Sequence, residues 1–135
     1  MQEVIKDSPT FSMEDAHKES VDVVDVVEYM EEQYPQMTEE FKKIQREQYE
    51  LFLHKQHDYG PQNIAVGTIL KTPEDIKLSL LGIWFRMNDK IERLKTLLMR
   101  DNNHAVENES VVDSFSDISN YGVMAKVVAR GKWAK

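Results

Sequence analysis

Between Ile83 and Tyr121 two sets of charged residues recur at helical spacing, one basic and one acidic. Arg86, Asp89, Lys90 and Arg93 recur at steps of three and four, and Glu109, Asp113 and Asp117 are each four apart. With ~100° of rotation per residue, each set lines one side of a helix. Arginine offers a planar fork to phosphate and lysine a point charge. Three carboxylates with water suit a hard divalent ion such as Mg²⁺ or Mn²⁺. Facing each other, the stripes would hold phosphate on the bases and a cation on the acids. The same stripes would equally make a salt-bridged helical bundle with no ligand.

Small residues precede the cations: Ser79 and Gly82 stand on the side that continues into Arg86, Lys90 and Arg93, leaving room for something to approach the backbone. Asp89 is the natural ion-pair partner that would hold one cation in place. The stacked carboxylates are the odder feature, because like charges four apart cost a few tenths of a kcal/mol per pair in an isolated helix. A cation or a facing basic stripe removes that cost. Glu47, Glu50 and His54 form another stripe, and Glu47 with Glu50 would complete a four-carboxylate cage. In a helix so rich in glutamate the same spacing also suits a solvated surface. His54, His57 and Asp58 suggest a metal-dependent phosphohydrolase, but that class needs more histidines than the remaining His17 and His104 supply. No glycine-rich phosphate loop ending in GK[ST] occurs. With no cysteine there is no disulfide, thiolate metal site or thiol nucleophile.

These side chains need helices to position them, and the pattern predicts an all-α, four-helix bundle-like single domain over 12–135, after a flexible segment 1–11. Ser12 and Asp15 resemble a capping box for a helix over 13–33 with Val23, Val26, Val27 and Met30 as its apolar face. The β-branched run VDVVDVV also suits a strand. Pro35 ends that helix and Thr38 caps a second over 38–57, with Phe41, Ile44, Gln48, Leu51, Phe52 and Lys55 along one face. HDYGPQNIAVGT reads as a loop whose tight turn at Tyr59-Gly60-Pro61 fixes where Asp58 and Asn63 point. Thr72-Pro73-Glu74-Asp75 is the clearest helix start: a threonine cap, proline at the first helical position and acids against the dipole. The third helix then spans 73–99 with a core stripe of Ile76, Leu80, Ile83, Met87, Ile91, Leu94 and Leu98. Asn108 caps a fourth over 108–129, whose core face reads Val111, Phe115, Ile118, Gly122 and Ala125. The tail RGKWAK is short and basic.

At 135 residues the chain can bury a core without staples. Its net charge of −7 opposes adsorption to nucleic acid polymers or anionic lipid, though a local basic stripe can still attract a small anion. No window approaches the roughly 18 apolar residues of a membrane span, and the N-terminal residues lack the basic-then-apolar order of a signal peptide. A soluble, cytoplasmic protein without membrane contact is the expectation.

HDYGPQN, GIWFRMNDKIERL and ESVVDSFSDISNY together resemble the phage and bacterial nucleotide-modification-associated domain, type one. Lys55, Asp58, Tyr59 and Gly60 match its K-x-x-DYG turn, and Arg86, Asp89, Lys90, Arg93 and Leu94 match its R-x-x-DK-x-x-RL helix. Glu109, Ser110, Asp113, Asp117, Asn120 and Tyr121 match its acidic helix. The resemblance covers about 38–129 and implies a role in nucleotide metabolism in a bacterial or phage-infected cell. More distantly the chain resembles the all-α nucleoside triphosphate pyrophosphohydrolases, the MazG and dimeric dUTPase group. Glu47 and Glu50 match the E-x-x-E motif of that group, and Glu109 to Asp113 departs by one residue from its E-x-x-D. This second likeness implies Mg²⁺ on Glu109, Asp113, Asp117, Glu47 and Glu50, hydrolysis of a nucleotide or deoxynucleotide phosphate chain with Glu109 and Asp113 as catalytic groups, and a homodimer. In that scheme Lys55, Arg86, Lys90 and Arg93 neutralise phosphate, Tyr59 or Tyr121 stacks on the base, and Asn63 or Asn120 reads its edge. The alternative is a non-catalytic module that sequesters a nucleotide or binds a host protein.

Overall fold

The computed structural model describes residues 25–100 and 109–135, the side chains of Glu109 and Ser110 excepted. Every regular element among them is helical, as the periodicity predicts, and five helices are present. They are α1 (25–33), α2 (Pro35–Tyr59), α3 (Gln62–Ala65), α4 (Pro73–Met99) and α5 (Glu109–Ala129). The expected Ser12 and Asp15 cap, the helix before residue 25 and the Asn108 cap lie outside the described residues. No helix among the described residues is long and apolar enough to cross a membrane. Two units are distinguished, Met1–Gln45 and Arg46–Lys135. α2 runs through the boundary.

In the first unit the helix begins at Pro35, three residues before the expected Thr38. Proline suits a first helical position because its missing N–H would have no partner there. Thr38 is therefore not a cap. It lies inside the helix, and its hydroxyl donates to the Tyr34 carbonyl at 3.0 Å. None of residues 25–45 is buried. Val26, Val27, Met30, Phe41 and Ile44, expected as apolar faces, are all exposed.

The second unit holds the core. Thr72 caps α4 as predicted, accepting from the Asp75 amide at 3.1 Å, with Pro73 at the first turn. α4 packs along α5, and α3 packs on α4. Ile64, Ile83, Met124, Val128 and Trp133 form the buried cluster, with Phe52, Leu80 and Tyr121 against it. The buried stripe of α4 ends on Leu97, while the expected Ile91 and Leu98 are exposed. On α5 the buried positions are Ser114, Met124 and Val128, and the expected Phe115 is exposed. The inward face of α5 is thus turned away from the most apolar line toward one that includes Asp117.

The expected loop after Tyr59 contains the one-turn helix α3. Gly60 takes φ of +78°, a left-handed conformation that glycine adopts without a side-chain clash. Val66 ends α3 in the same region at φ +53°. Ser79 and Gly82 are small because α3 approaches there. The buried Ser79 hydroxyl donates to the Ile64 carbonyl at 2.7 Å, and a Cβ on Gly82 would stand 3.4 Å from a Val66 methyl. The space that the sequence reserves beside α4 is taken by the chain's own turn. Ser79→Ala removes that donor and is expected to lower stability by about 1 kcal/mol, measured by urea denaturation.

The tail is structural. After α5 the Gly131 amide donates to the Val128 carbonyl at 2.9 Å and the Lys132 amide to Val127 at 3.1 Å. With Gly131 at φ +71° this is a Schellman closure, which turns the chain back on the helix. Trp133 is thereby buried against Phe52, with ring centroids 5.9 Å apart and nearly edge-on, and its indole N–H donates to the Pro61 carbonyl at 3.0 Å.

Candidate functional site

Three helices of the second unit meet at Asp117. Its two carboxylate oxygens are divided between two lysines: Lys55 Nζ of α2 lies 3.0 Å from Oδ1, and Lys90 Nζ of α4 lies 3.1 Å from Oδ2. The Asp117 side chain is 16% exposed, whereas Lys55 retains 40% exposure. The carboxylate is therefore the inner member and the ammonium groups its outer partners. Burial works against the charge of Asp117, yet hydrogen bonds from Lys55 and Lys90 outweigh it and hold its pKa below the ordinary carboxylate value. Burial likewise opposes the charge of Lys55, and the hydrogen bond and charge of Asp117 more than restore it, leaving that pKa above 10.5.

This bridge forms a shared wall between two cavities. The first, of about 220 Å³, is lined by Lys55, Arg86, Lys90 and Asp117, so three cations face one carboxylate. Tyr59, Tyr121 and Phe52 supply aromatic surface, Gln56, Asn63 and Asn120 supply amides, and Ile64 and Met124 close the apolar side. The guanidinium of Arg86 donates to the Asn63 carbonyl at 3.4 Å, tying α4 to α3. The second cavity, of about 340 Å³, is lined by Lys55, Lys90, Arg93, Asp113 and Asp117 with Leu51, Ser114 and Ser116. Ligand pockets run from roughly 300 to 1,000 Å³, so the second cavity stands at the low end of that range and the first falls below it.

The basic and acidic stripes of the sequence do meet, but one acid is already neutralised within the wall. Of the residues expected to bind substrate, Lys55, Tyr59, Asn63, Arg86, Lys90, Asn120 and Tyr121 share the first cavity, while Arg93 lines the second with Asp113. Asp58 and Asp89 are exposed and line neither cavity; Asp58 stands 3.4 Å from its neighbour His57 Nδ1. Asn120 has its amide engaged: Nδ2 donates to the Gln48 carbonyl at 3.1 Å, and Oδ1 receives Gln48 Nε2 at 3.4 Å. It joins α5 to α2.

The carboxylates expected on Mg²⁺ are dispersed. Glu47 and Glu50 are exposed on α2, Asp113 faces the second cavity, and both oxygens of Asp117 meet ammonium groups. The Glu109 side chain is outside the described residues. Among the described residues no three carboxylate or imidazole groups converge on a common point.

Gln56, Ile64 and Met124 line the first cavity without being marked by the charge stripes, and Gln56 is the polar one. Its signal was present: Phe52, Lys55, Gln56 and Tyr59 follow the i, i+3, i+4, i+7 spacing of one helix face. Comparison with protein-family models, curated proteins and solved structures gave no match.

Proposed function

We propose that the second unit binds a small phosphate-bearing ligand, a mononucleotide, at the cavity between α2, α4 and α5. The observation that carries this is the charge of the wall: three cations against one carboxylate, in a chain whose net charge is −7. Phosphate would lie near Arg86, Lys90 and Lys55, where Asp117 keeps the lysines in place. A base would rest against Tyr59 and Tyr121. The motifs in HDYGPQN and GIWFRMNDKIERL that resemble nucleotide-associated proteins supply the residues of this wall, which supports a nucleotide over other phosphates.

Binding without metal-assisted turnover is the form that Asp117 favours, since each of its oxygens already meets an ammonium group and a divalent ion there would face two positive charges. Hydrolysis dependent on Mg²⁺ is the rival form and would draw on Glu109 and Asp113. The self-association expected from the resemblance finds support in the exposed apolar side chains Leu81, Trp84 and Phe85 of α4.

Thermal-shift titration with nucleoside mono- and triphosphates, each with and without Mg²⁺, tests the reading. A ligand present at a hundred times its Kd stabilises the fold by about 2.7 kcal/mol, so a rise in Tm of several degrees is expected without Mg²⁺. Arg86→Ala should weaken that ligand about tenfold, the loss of one charge-assisted hydrogen bond. A shift that needs Mg²⁺, accompanied by nucleotide turnover, would instead favour the hydrolase. If no nucleotide raises Tm under either condition, the proposal fails.

A further inference from the structure

The outer face of α4 is apolar where a solvated helix would be polar. At ~100° per residue, Leu81, Trp84, Phe85 and Asn88 lie on the side opposite the buried Ser79 and Leu97. Leu81 is 49% exposed, and Trp84 and Phe85 are each 55% exposed. The two rings pack on each other nearly edge-on, with centroids 5.3 Å apart, so they form one aromatic surface outside the core. Exposed apolar groups gathered within a polar rim mark an interaction surface. Tryptophan is among the side chains that carry most of the energy at such surfaces.

The charges on the same face identify what covers it. Glu74 and Lys77 precede the apolar stretch, Glu92 and Lys95 follow it, and the four lie within about 60° of one another around the helix axis. All four are exposed, and Lys95 Nζ stands 3.4 Å from Glu92 Oε1 at the rim. Two acids and two bases make the face neutral in a chain of net charge −7. Along the helix the order is acid, base, apolar stretch, acid, base. Reversed, the order is base, acid, apolar stretch, base, acid. A second copy running antiparallel therefore meets this face with opposite charge at every rim position, whereas a parallel copy in register meets it with like charge. The spacing agrees: Glu74 and Lys95 lie equally far from the midpoint between Trp84 and Phe85, as do Lys77 and Glu92.

We propose that α4 is a dimerisation helix, pairing antiparallel with α4 of a second copy of this chain about a two-fold axis between Trp84 and Phe85. Leu81, Trp84 and Phe85 of both copies fill the centre. Lys77 meets Glu92 of the second copy and Glu74 meets Lys95 of the second copy, and the symmetry makes each pair twice. The inference deepens the self-association named above by assigning its surface and orientation. It is independent of the nucleotide reading, because Arg86 and Lys90 lie on the other side of α4.

Sedimentation equilibrium of the full chain at low ionic strength, over a range of concentrations, tests the assignment. Wild type should form a dimer and nothing larger, since a two-fold interface is closed. Trp84→Ser should raise the dimer Kd at least a hundredfold, because each substitution removes two central side chains from the interface. Both residues are exposed in the single chain, so its helical circular dichroism should be unchanged. Lys77→Glu should weaken the dimer about tenfold, as symmetry turns two attractive pairs into repulsive ones. Adding Glu92→Lys to Lys77→Glu should restore it. Wild type that stays monomeric at every concentration would overturn the self-association and this inference together. A dimer untouched by Trp84→Ser would place the contact elsewhere and overturn the inference alone. A loss in Lys77→Glu that Glu92→Lys fails to restore would overturn the antiparallel pairing. Nucleotide binding by the cavity is unaffected by any of these outcomes.

Discussion

Trp133→Ala should lower the stability of the second unit by about 3 kcal/mol, the range for removing a buried large aromatic side chain. The fall in Tm would be on the order of 15 °C for a unit of this size. The indole is 6% exposed, sits in the central cluster with Ile64, Ile83, Met124 and Val128, and meets the Phe52 ring edge-on. Its N–H also supplies the Pro61 carbonyl with a donor at the entry to α3. Alanine would lose the packing, leave a void and remove one of the two donors to that carbonyl, the other being the Ile64 amide at 3.2 Å, all in the turn that carries Asn63 and Ile64. Trp133→Phe is intermediate, since it keeps a six-membered ring but loses the donor and the rest of the indole, and about 2 kcal/mol is expected for it. Urea denaturation followed by circular dichroism measures both. A loss below 1 kcal/mol for alanine would mean that the tail is not part of the core.

Asp117→Asn is the second large effect, with a loss of about 2 kcal/mol at neutral pH from two charge-assisted hydrogen bonds. The amide can still accept from one lysine, but its NH₂ then faces the other, and two ammonium groups are left near each other with no anion between them. The pH dependence follows from the direction of the shift. The folded pKa of Asp117 lies below the ordinary carboxylate value of 3.8. Its contribution is therefore fully present above 3.8 and is lost as pH falls through the depressed value, where the folded protein must take up the proton. Wild type should thus lose its advantage over Asp117→Asn in strong acid, and the two denaturation midpoints should converge. At the alkaline end the sign reverses. Lys55 has a raised pKa, so its share is present below 10.5 and disappears as pH rises through the higher folded value. A gap between wild type and Asp117→Asn that stays constant from neutral pH into acid would contradict the bridge.

The degree to which the residues announce this structure varies with the physics involved. α4 was legible at both ends, 73–99 as expected, because its start is encoded locally by Thr72, Pro73 and Asp75. The start of α2 was not, since Pro35 reads both as a stop for one helix and as a first position for the next. The inward face of α4 follows the expected stripe at Ile76, Leu80, Ile83, Met87 and Leu94 and departs from it at Ile91 and Leu98, as α5 does at Phe115, for a single reason. Hydrophobic periodicity assumes that apolar residues face the core, and here Lys90 and Asp117 occupy that face. At ~100° per residue Lys90 lies within about 40° of Ile83 and Leu94, and Asp117 within about 20° of Met124 and Val128. Once charged groups neutralise one another across the packed helices, the apolar line next to them is free to face outward, as Phe115 and Leu98 do. The cavity itself was half legible. The charge stripes and motifs pointed to Lys55, Arg86, Lys90 and Tyr121, but Gln56 carries no charge and is marked only by its spacing from Phe52, Lys55 and Tyr59, and Trp133 sits in a tail too short for any periodic signal.

The shared carboxylate has a consequence for how the two lysine positions can vary. They are thermodynamically a single unit: with either ammonium gone, the other holds Asp117 alone and its pairing energy changes, so the effects of the two losses do not add. Replacing either lysine with a neutral residue also changes the electrostatics felt by everything else in the wall, including Arg86. Positions 55, 90 and 117 are therefore constrained jointly, and a substitution at one redefines what the other two can tolerate.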